Sequence, residues 1–116
     1  MYWQEEQENR DSEEVRRLYA ALDSSGVPFA LGFFPEGAAP PLPYGCYLPV
    51  YGKSFGADGG TYASSVCWQI ELYTEKPEPE TERRLETALE EYQWDKRQMF
   101  YLAAEHIWQT VYTVWI

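Results

Sequence analysis

Apolar residues recur with the period of an α-helix in two segments of the chain. In the first segment, the residues at positions i, i+3, i+4 and i+7 share one helix face, and they are Val15, Leu18, Tyr19 and Leu22. Asp11 and Glu14 have the spacing of an N-terminal capping box, and Gly26 suits a left-handed C-cap. This pattern predicts a helix over residues 12–24, preceded by a flexible leader over residues 1–10.

The second segment repeats this spacing with a new set of apolar residues: Leu85, Ala88, Leu89 and Tyr92. Pro79 suits the first turn of a helix, and the acidic residues around it favour a helix N-terminus. The other side of the segment consists of Glu and Arg residues, which is typical of a solvated face. A second helix is therefore predicted over residues 79–92.

Five further segments have the patterning of β-strands. They are residues 28–34, 44–51, 61–74, 94–102 and 107–116. In the third, Trp68, Ile70 and Leu72 share one parity, and the other parity is more polar, which predicts one buried face and one wetter face. The last segment has apolar residues at both parities, so we expect it to be covered on both sides, by helices or by a neighbouring subunit.

The predicted order α-β-β-β-α-β-β indicates one α+β domain over residues 11–116. We expect a mostly antiparallel sheet of about five strands with both helices on one face. Four prolines in residues 35–43 and four glycines in residues 52–60 predict loops in these two segments. No helix is left to cover the second face of the sheet.

Length and charge narrow the class of protein. A chain of 116 residues fits one domain. The net charge of -10 repels phosphate backbones, so we expect no direct binding to nucleic acid. No run of 18 apolar residues occurs, and the polar start lacks the features of a signal peptide, so we expect no membrane span and no export.

The sequence offers few groups for chemistry. His106 is the single histidine and lies at a predicted turn, where it needs no partner. Cys46 is expected in the core and Cys67 on the wetter face, both as reduced thiols without an activating base. Residues 52–54 lack the spacing of a phosphate-binding loop, and the acids of residues 75–91 lack that of an EF-hand. We therefore expect no catalytic residue, no metal and no cofactor, and predict that the chain is not an enzyme.

Three motifs resemble a known family when they are taken together and in order. They are residues 34–44 (FPEGAAPPLPY), 55–62 (FGADGGTY) and 70–76 (IELYTEK). The chain resembles small tail-completion proteins of long-tailed phages and prophages of Gram-positive bacteria. The resemblance covers about residues 33–92 well and the ends of the chain only in layout.

This resemblance implies a structural role where the tail tube ends and joins the head connector. Such proteins are similar to tail terminators, which form rings that are often hexameric. The implied partners are tail-tube or head-connector proteins, and the implied location is the bacterial cytoplasm during assembly and then the virion tail or neck. The family has no catalytic residues to transfer to this chain.

Contacts with other subunits are expected in the glycine-rich loop and the last strand, because interfaces favour aromatic residues. The candidates are Lys53, Phe55, Asp58, Tyr62, Trp108, Tyr112 and Trp115. The last strand is usually polar in the family, and here it departs from that pattern. Another neck or minor capsid protein is a second possibility. The net charge also leaves open a soluble acidic adaptor or a nucleic-acid mimic as the alternative function.

Overall fold

The computed structural model describes residues 2–50 and 67–116. Within these residues the elements follow the predicted order: α1 (Tyr2–Asp23), β1 (Phe29–Leu31), β2 (Tyr44–Val50), β3 (Cys67–Thr74), α2 (Pro79–Ala88), β4 (Gln93–Leu102) and β5 (Ile107–Trp115). The predicted α+β class and the order of helices and strands are confirmed. The predicted residues 61–66 of the third strand, and the predicted loop over residues 52–60, lie outside the described residues.

The strands form one mixed sheet in the order β1-β2-β3-β5-β4. β1 pairs with β2 in parallel, whereas the other three neighbouring pairs are antiparallel. A parallel pair needs a connection of roughly a dozen residues or more, because the chain must return to the same end of the sheet. The proline-rich segment over residues 32–43 is that connection. The sheet is therefore mixed, whereas a mostly antiparallel sheet was predicted.

The core lies between the two helices and one face of the sheet. Its helical side consists of four buried leucines: Leu18, Leu22, Leu85 and Leu89. Its sheet side consists of buried residues of four strands: Phe29, Tyr47, Trp68, Ile70, Leu72, Tyr112 and Val114. Burying one aliphatic or aromatic side chain contributes roughly 1.5–3 kcal/mol, so this layer holds both helices on the same face, as predicted.

The start of α1 differs from the prediction. The helix begins at Tyr2 and includes residues 2–10, which were predicted to form a flexible leader. These residues contain no proline or glycine and are rich in Glu and Gln, which are good helix formers. The capping-box spacing at Asp11 therefore does not mark the helix start.

Two other boundaries are set by turns. β1 ends at Leu31 because Gly32 adopts a positive φ of 78°, and the predicted strand over residues 28–34 is shortened to three residues. α2 ends at Ala88, where the backbone N–H of Leu89 bonds to Leu85 O at 3.1 Å and Glu86 O at 3.2 Å. A tightened last turn of this kind brings the chain round into β4.

Candidate interaction surface

We call the sheet face that points away from both helices the open face. Side chains alternate along a strand, so the residues between the buried core residues point to this face. On the three inner strands these are Tyr44, Cys46, Leu48, Val50, Cys67, Gln69, Glu71, Tyr73, Gln109, Val111, Thr113 and Trp115. Among the described residues, no helix packs on the open face.

A chain of hydrogen bonds crosses the middle of the open face. Gln69 Nε2 donates to Glu71 Oε2 at 2.6 Å, and the Tyr73 hydroxyl donates to Glu71 Oε1 at 2.8 Å. Gln109 Nε2 donates to the Tyr73 hydroxyl at 3.0 Å, which joins β5 to β3. Burial raises the pKa of Tyr73, and its bond to the Glu71 carboxylate raises it further, so Tyr73 stays a proton donor. The Glu71 carboxylate is thus held in place as an acceptor.

The proline-rich connection passes beside this hydrogen-bonded chain. The Phe34 ring contacts Tyr44 edge-on, with centroids 5.4 Å apart, and Tyr44 contacts Tyr73 at 5.5 Å. Between this connection and the β4–β5 hairpin lies a groove of about 280 Å³, which we call the open-face groove. Its lining consists of Phe33, Phe34, Ala39, Tyr44, Cys46, Tyr73, Leu102, Glu105 and Ile107.

The thiol of Cys46 is almost fully covered at this groove, at 5% exposure. Burial raises the pKa of the Cys46 thiol, and the negative charge of Glu71 on the neighbouring strand raises it further. Burial likewise raises the pKa of Cys67. Within the described residues, neither cysteine forms a disulfide bond. A thiol whose pKa is raised is a poor nucleophile, so Cys46 contributes a small apolar wall to the groove.

Strand β4 forms one outer edge of the sheet, with β5 as its neighbour. Its side chains Met99, Phe100 and Tyr101 are exposed by 37%, 42% and 49%. The pairing with β5 shifts register between Lys96 and Gln98, which is the signature of a β-bulge. Bulges and charged residues protect an edge from uncontrolled pairing, and here they leave the Met99–Tyr101 end as the apolar part of the edge.

The structure separates the predicted contact residues of the last strand. Trp108 lies opposite Thr74 on the helix-covered side, and its ring is 5.2 Å from that of Tyr101. Trp115 lies on the open face, with the Arg97 guanidinium 5.6 Å from its ring. The two tryptophans therefore point to opposite faces of the sheet.

Tyr112 was predicted to make subunit contacts, and the structure places it in the core instead. Its side chain is 0% exposed, and its hydroxyl donates to Glu86 Oε2 of α2 at 2.7 Å. It was grouped with the contact residues because both parities of its strand are apolar. Lys53, Phe55, Asp58 and Tyr62 lie outside the described residues.

Several residues of this surface were not singled out from the sequence. Phe34 and Tyr44 line the open-face groove, Glu71 lies beside it opposite Cys46, and Phe100 belongs to the outer edge. Glu71 could have been identified from the sequence, because it occupies one of the alternate positions of β3 that are more polar. The other contacts depend on which strands are neighbours, and the pairing of Tyr73 with Gln109 follows from strand order.

Two larger depressions lie along the helices, with volumes of about 590 and 600 Å³. Both are lined by carboxylate and guanidinium side chains, for example Glu90 and Arg83 in the first and Glu14 and Arg17 in the second.

His106 lies in the β4–β5 turn, where its Nδ1 is 3.2 Å from the Tyr101 hydroxyl. In the described part of the chain, no three His, Cys, Asp or Glu side chains are grouped to hold a metal ion.

Neither helix of the described residues combines the length and the apolar character needed to cross a bilayer.

None of the protein-family models, curated proteins or solved structures compared with this chain matches it.

Proposed function

We propose that this chain is a structural protein of the tail end or head–tail neck of a long-tailed phage or prophage. It acts in tail completion through protein–protein assembly and has no catalytic role. The family part of the proposal rests on the sequence resemblance, two motifs of which, residues 34–44 and 70–76, border or form part of the open face. Its partners are tail-tube or head-connector proteins.

The observation that supports an assembly role is the combination of two features: a sheet face that no helix of the described residues covers, and an apolar outer edge. Phe100 and Leu102 of β4 lie directly opposite Gln109 and Ile107 of β5, on the open face. The apolar part of the edge is therefore continuous with the open face. A surface of this kind is typical of a protein that is completed by another chain.

The arrangement also suits a ring. A ring subunit uses two different patches, one on each side, so that each copy contacts the next around a closed rotation. β4 lies at one edge of the sheet and β1 at the other, with three strands between them. The net charge of -10 opposes association of free copies at low salt. We therefore propose that a tail partner or high salt is needed for assembly.

Electron microscopy of phage particles made with and without the chain tests this function. We expect particles made without it to have free heads and tails of uneven length, because the tube end is not completed. Restoring the chain with Glu90→Gln should restore joined particles, since Glu90 is an exposed residue of the turn that follows α2. The double variant Phe100→Lys, Tyr101→Lys should not restore them. Normal particles in the absence of the chain would contradict the proposal.

Light scattering after size-exclusion chromatography separates this function from the alternative. A mass that grows with protein concentration and salt supports self-assembly of the chain at the tail. A soluble acidic adaptor or nucleic-acid mimic predicts a different result. The chain would stay monomeric at every concentration and salt, and particles made without it would have normal morphology.

A further inference from the structure

The open-face groove has aromatic walls and a negative charge beside it. Phe33, Phe34, Tyr44 and Tyr73 line it, and the Phe33 side chain is 74% exposed. Aromatic faces attract cations and stack with planar guanidinium groups. The walls alone would accept many apolar groups, so the choice of ligand depends on the charges around them.

Two carboxylates define those charges. Glu105 lines the groove directly. Glu71 lies opposite Cys46 in the register of β2 and β3, and Cys46 is part of the lining. The negative charge of Glu71 is close enough to the Cys46 thiol to raise its pKa, so it also acts on this part of the groove lining. Each oxygen of the Glu71 carboxylate accepts one hydrogen bond within the protein and has a lone pair left for another donor.

The volume of the groove limits the size of the ligand. Pockets for drug-sized molecules have volumes of roughly 300–1,000 Å³. At about 280 Å³, this groove is below that range and suits one extended side chain. A long aliphatic stem that ends in a cation matches aromatic walls beside carboxylates. A guanidinium matches them best, because it stacks on aromatic rings and forms two parallel hydrogen bonds with a carboxylate.

We propose that the open-face groove binds one arginine side chain of a different protein, with its stem against the aromatic walls and its guanidinium near Glu71 and Glu105. The partner is a basic polypeptide, because its charge complements a chain of net charge -10. A second copy of the same chain is disfavoured as the donor by repulsion between the two negative proteins. The proposal rests on the proposed function for the presence of an assembly partner and adds the chemistry by which that partner is recognised.

Titration with short peptides tests the proposal on the whole chain. The probes are acetyl-Ala-Arg-Ala-amide and the same peptide with neutral citrulline in place of arginine. Binding is followed by NMR through the backbone amides of Cys46 and Tyr73 and the side-chain amides of Gln69 and Gln109. One anchoring side chain should give a dissociation constant on the order of 1 mM. The citrulline peptide should bind about tenfold more weakly or not at all.

Three variants locate the effect. Glu71→Gln should weaken binding of the arginine peptide by about tenfold, because a charge-assisted hydrogen bond is lost. Glu90→Gln removes the same charge from an exposed site elsewhere and should change binding by less than about twofold. Phe33→Ser removes an exposed wall without touching the core, and it should weaken binding by several-fold.

Four outcomes would overturn the proposal. The first is an arginine peptide that gives no saturable shifts at the open face. The second is a citrulline peptide that binds equally well, which would mean that only the apolar walls matter. The third is an equal loss from Glu71→Gln and Glu90→Gln, which would leave net charge as the only attraction. The fourth is self-association that the arginine peptide suppresses, which would identify a second copy as the donor. All four are independent of particle morphology, so the function proposed above is tested separately.

Discussion

The Tyr112 hydroxyl donates a 2.7 Å hydrogen bond to Oε2 of Glu86, and this contact joins the last strand to α2 across the core. The rest of the Tyr112 ring is buried among apolar side chains. A buried hydroxyl needs a partner, because leaving it unsatisfied costs about 1–3 kcal/mol. Glu86 satisfies it from the partly exposed side of α2.

Removing this hydroxyl tests the contact. Tyr112→Phe keeps the ring and is expected to lower the free energy of unfolding by about 1–2 kcal/mol, because the bond to a charged acceptor is lost. Denaturant unfolding measures the change. Tyr101→Phe is the matched control, since the Tyr101 hydroxyl is exposed and contacts His106 alone among the described residues. Equal losses in the two variants would show that burial adds nothing to the Tyr112 bond.

Lys96 makes a second connection between β4 and α2. Its ammonium contacts Glu82 and lies 3.1 Å from Glu86 Oε2, and the Glu82 side chain is only 9% exposed. Lys96→Met should destabilise the chain by about 1–3 kcal/mol, because a buried carboxylate loses its cation. Arg97→Met should cost less than about 1 kcal/mol, since the Arg97–Asp95 pair is exposed. A double variant with Glu82→Gln should lose less than the sum of its single variants.

Stability is expected to fall in alkaline solution. Burial and hydrogen bonds to carboxylates raise the pKa of Tyr73 and Tyr112 above the ordinary value of 10.0. In the unfolded chain both tyrosines ionise near pH 10, whereas in the folded chain they stay protonated. Their contribution is therefore complete below about pH 10 and is lost as the pH rises through the folded pKa.

Urea midpoints at several pH values above and below 10 measure this dependence. The double variant Tyr73→Phe, Tyr112→Phe should have a shallower decline than the unmodified chain. Burial also raises the pKa of Tyr47 and Tyr92, so part of the decline should persist. A midpoint that does not change across this range would refute the assignment.

A buried hydroxyl without a partner offers a stabilising substitution. Thr110 is 1% exposed, and its Oγ1 has no hydrogen-bond partner in the described structure. Thr110→Val replaces the hydroxyl with a methyl group of similar shape and keeps the β-branching that suits a strand. The variant should gain about 1 kcal/mol in the free energy of unfolding. Thr113→Val, at the exposed Arg97 contact, is the control and should gain nothing.

The turn between β4 and β5 contains a backbone conformation that glycine adopts more easily than histidine. His106 has a φ of 56°, in the left-handed region. His106→Gly and His106→Ala both remove the imidazole, so their difference isolates the backbone. The glycine variant should be more stable than the alanine variant by about 1 kcal/mol. Equal thermal midpoints would mean that the turn changes its conformation when the imidazole is absent.

The fold was predictable where the pattern is local. Leu18 and Leu22 on one helix, and Trp68 and Ile70 on one strand, are buried as their spacing indicates. Strand order depends on contacts between distant segments, so the parallel β1–β2 pair was not foreseen. For Tyr112, both parities of its strand are apolar, and only the position of α2 decides which side is buried.

The surface was less predictable than the fold for a related reason. The chain of bonds from Gln109 through Tyr73 to Glu71 exists because β5 lies beside β3. No spacing in the sequence relates residues that far apart. The proline-rich connection was identified as a loop, but its contact between Phe34 and Tyr44 depends on where the parallel strand begins.

The position of β5 between β3 and β4 has a consequence for the order of folding. β4 pairs with β5 and not with β3, so it joins the sheet as part of a β4–β5 hairpin. The hairpin can form early, because its strands are close in sequence, while its docking on β3 requires closure of a longer loop. We expect docking to be the slow step, and until it occurs Ile70 and Leu72 have an open strand edge beside them. In folding experiments, variants of the β3–β5 contact should slow refolding, whereas variants of the β4–β5 turn should mainly change the unfolding rate.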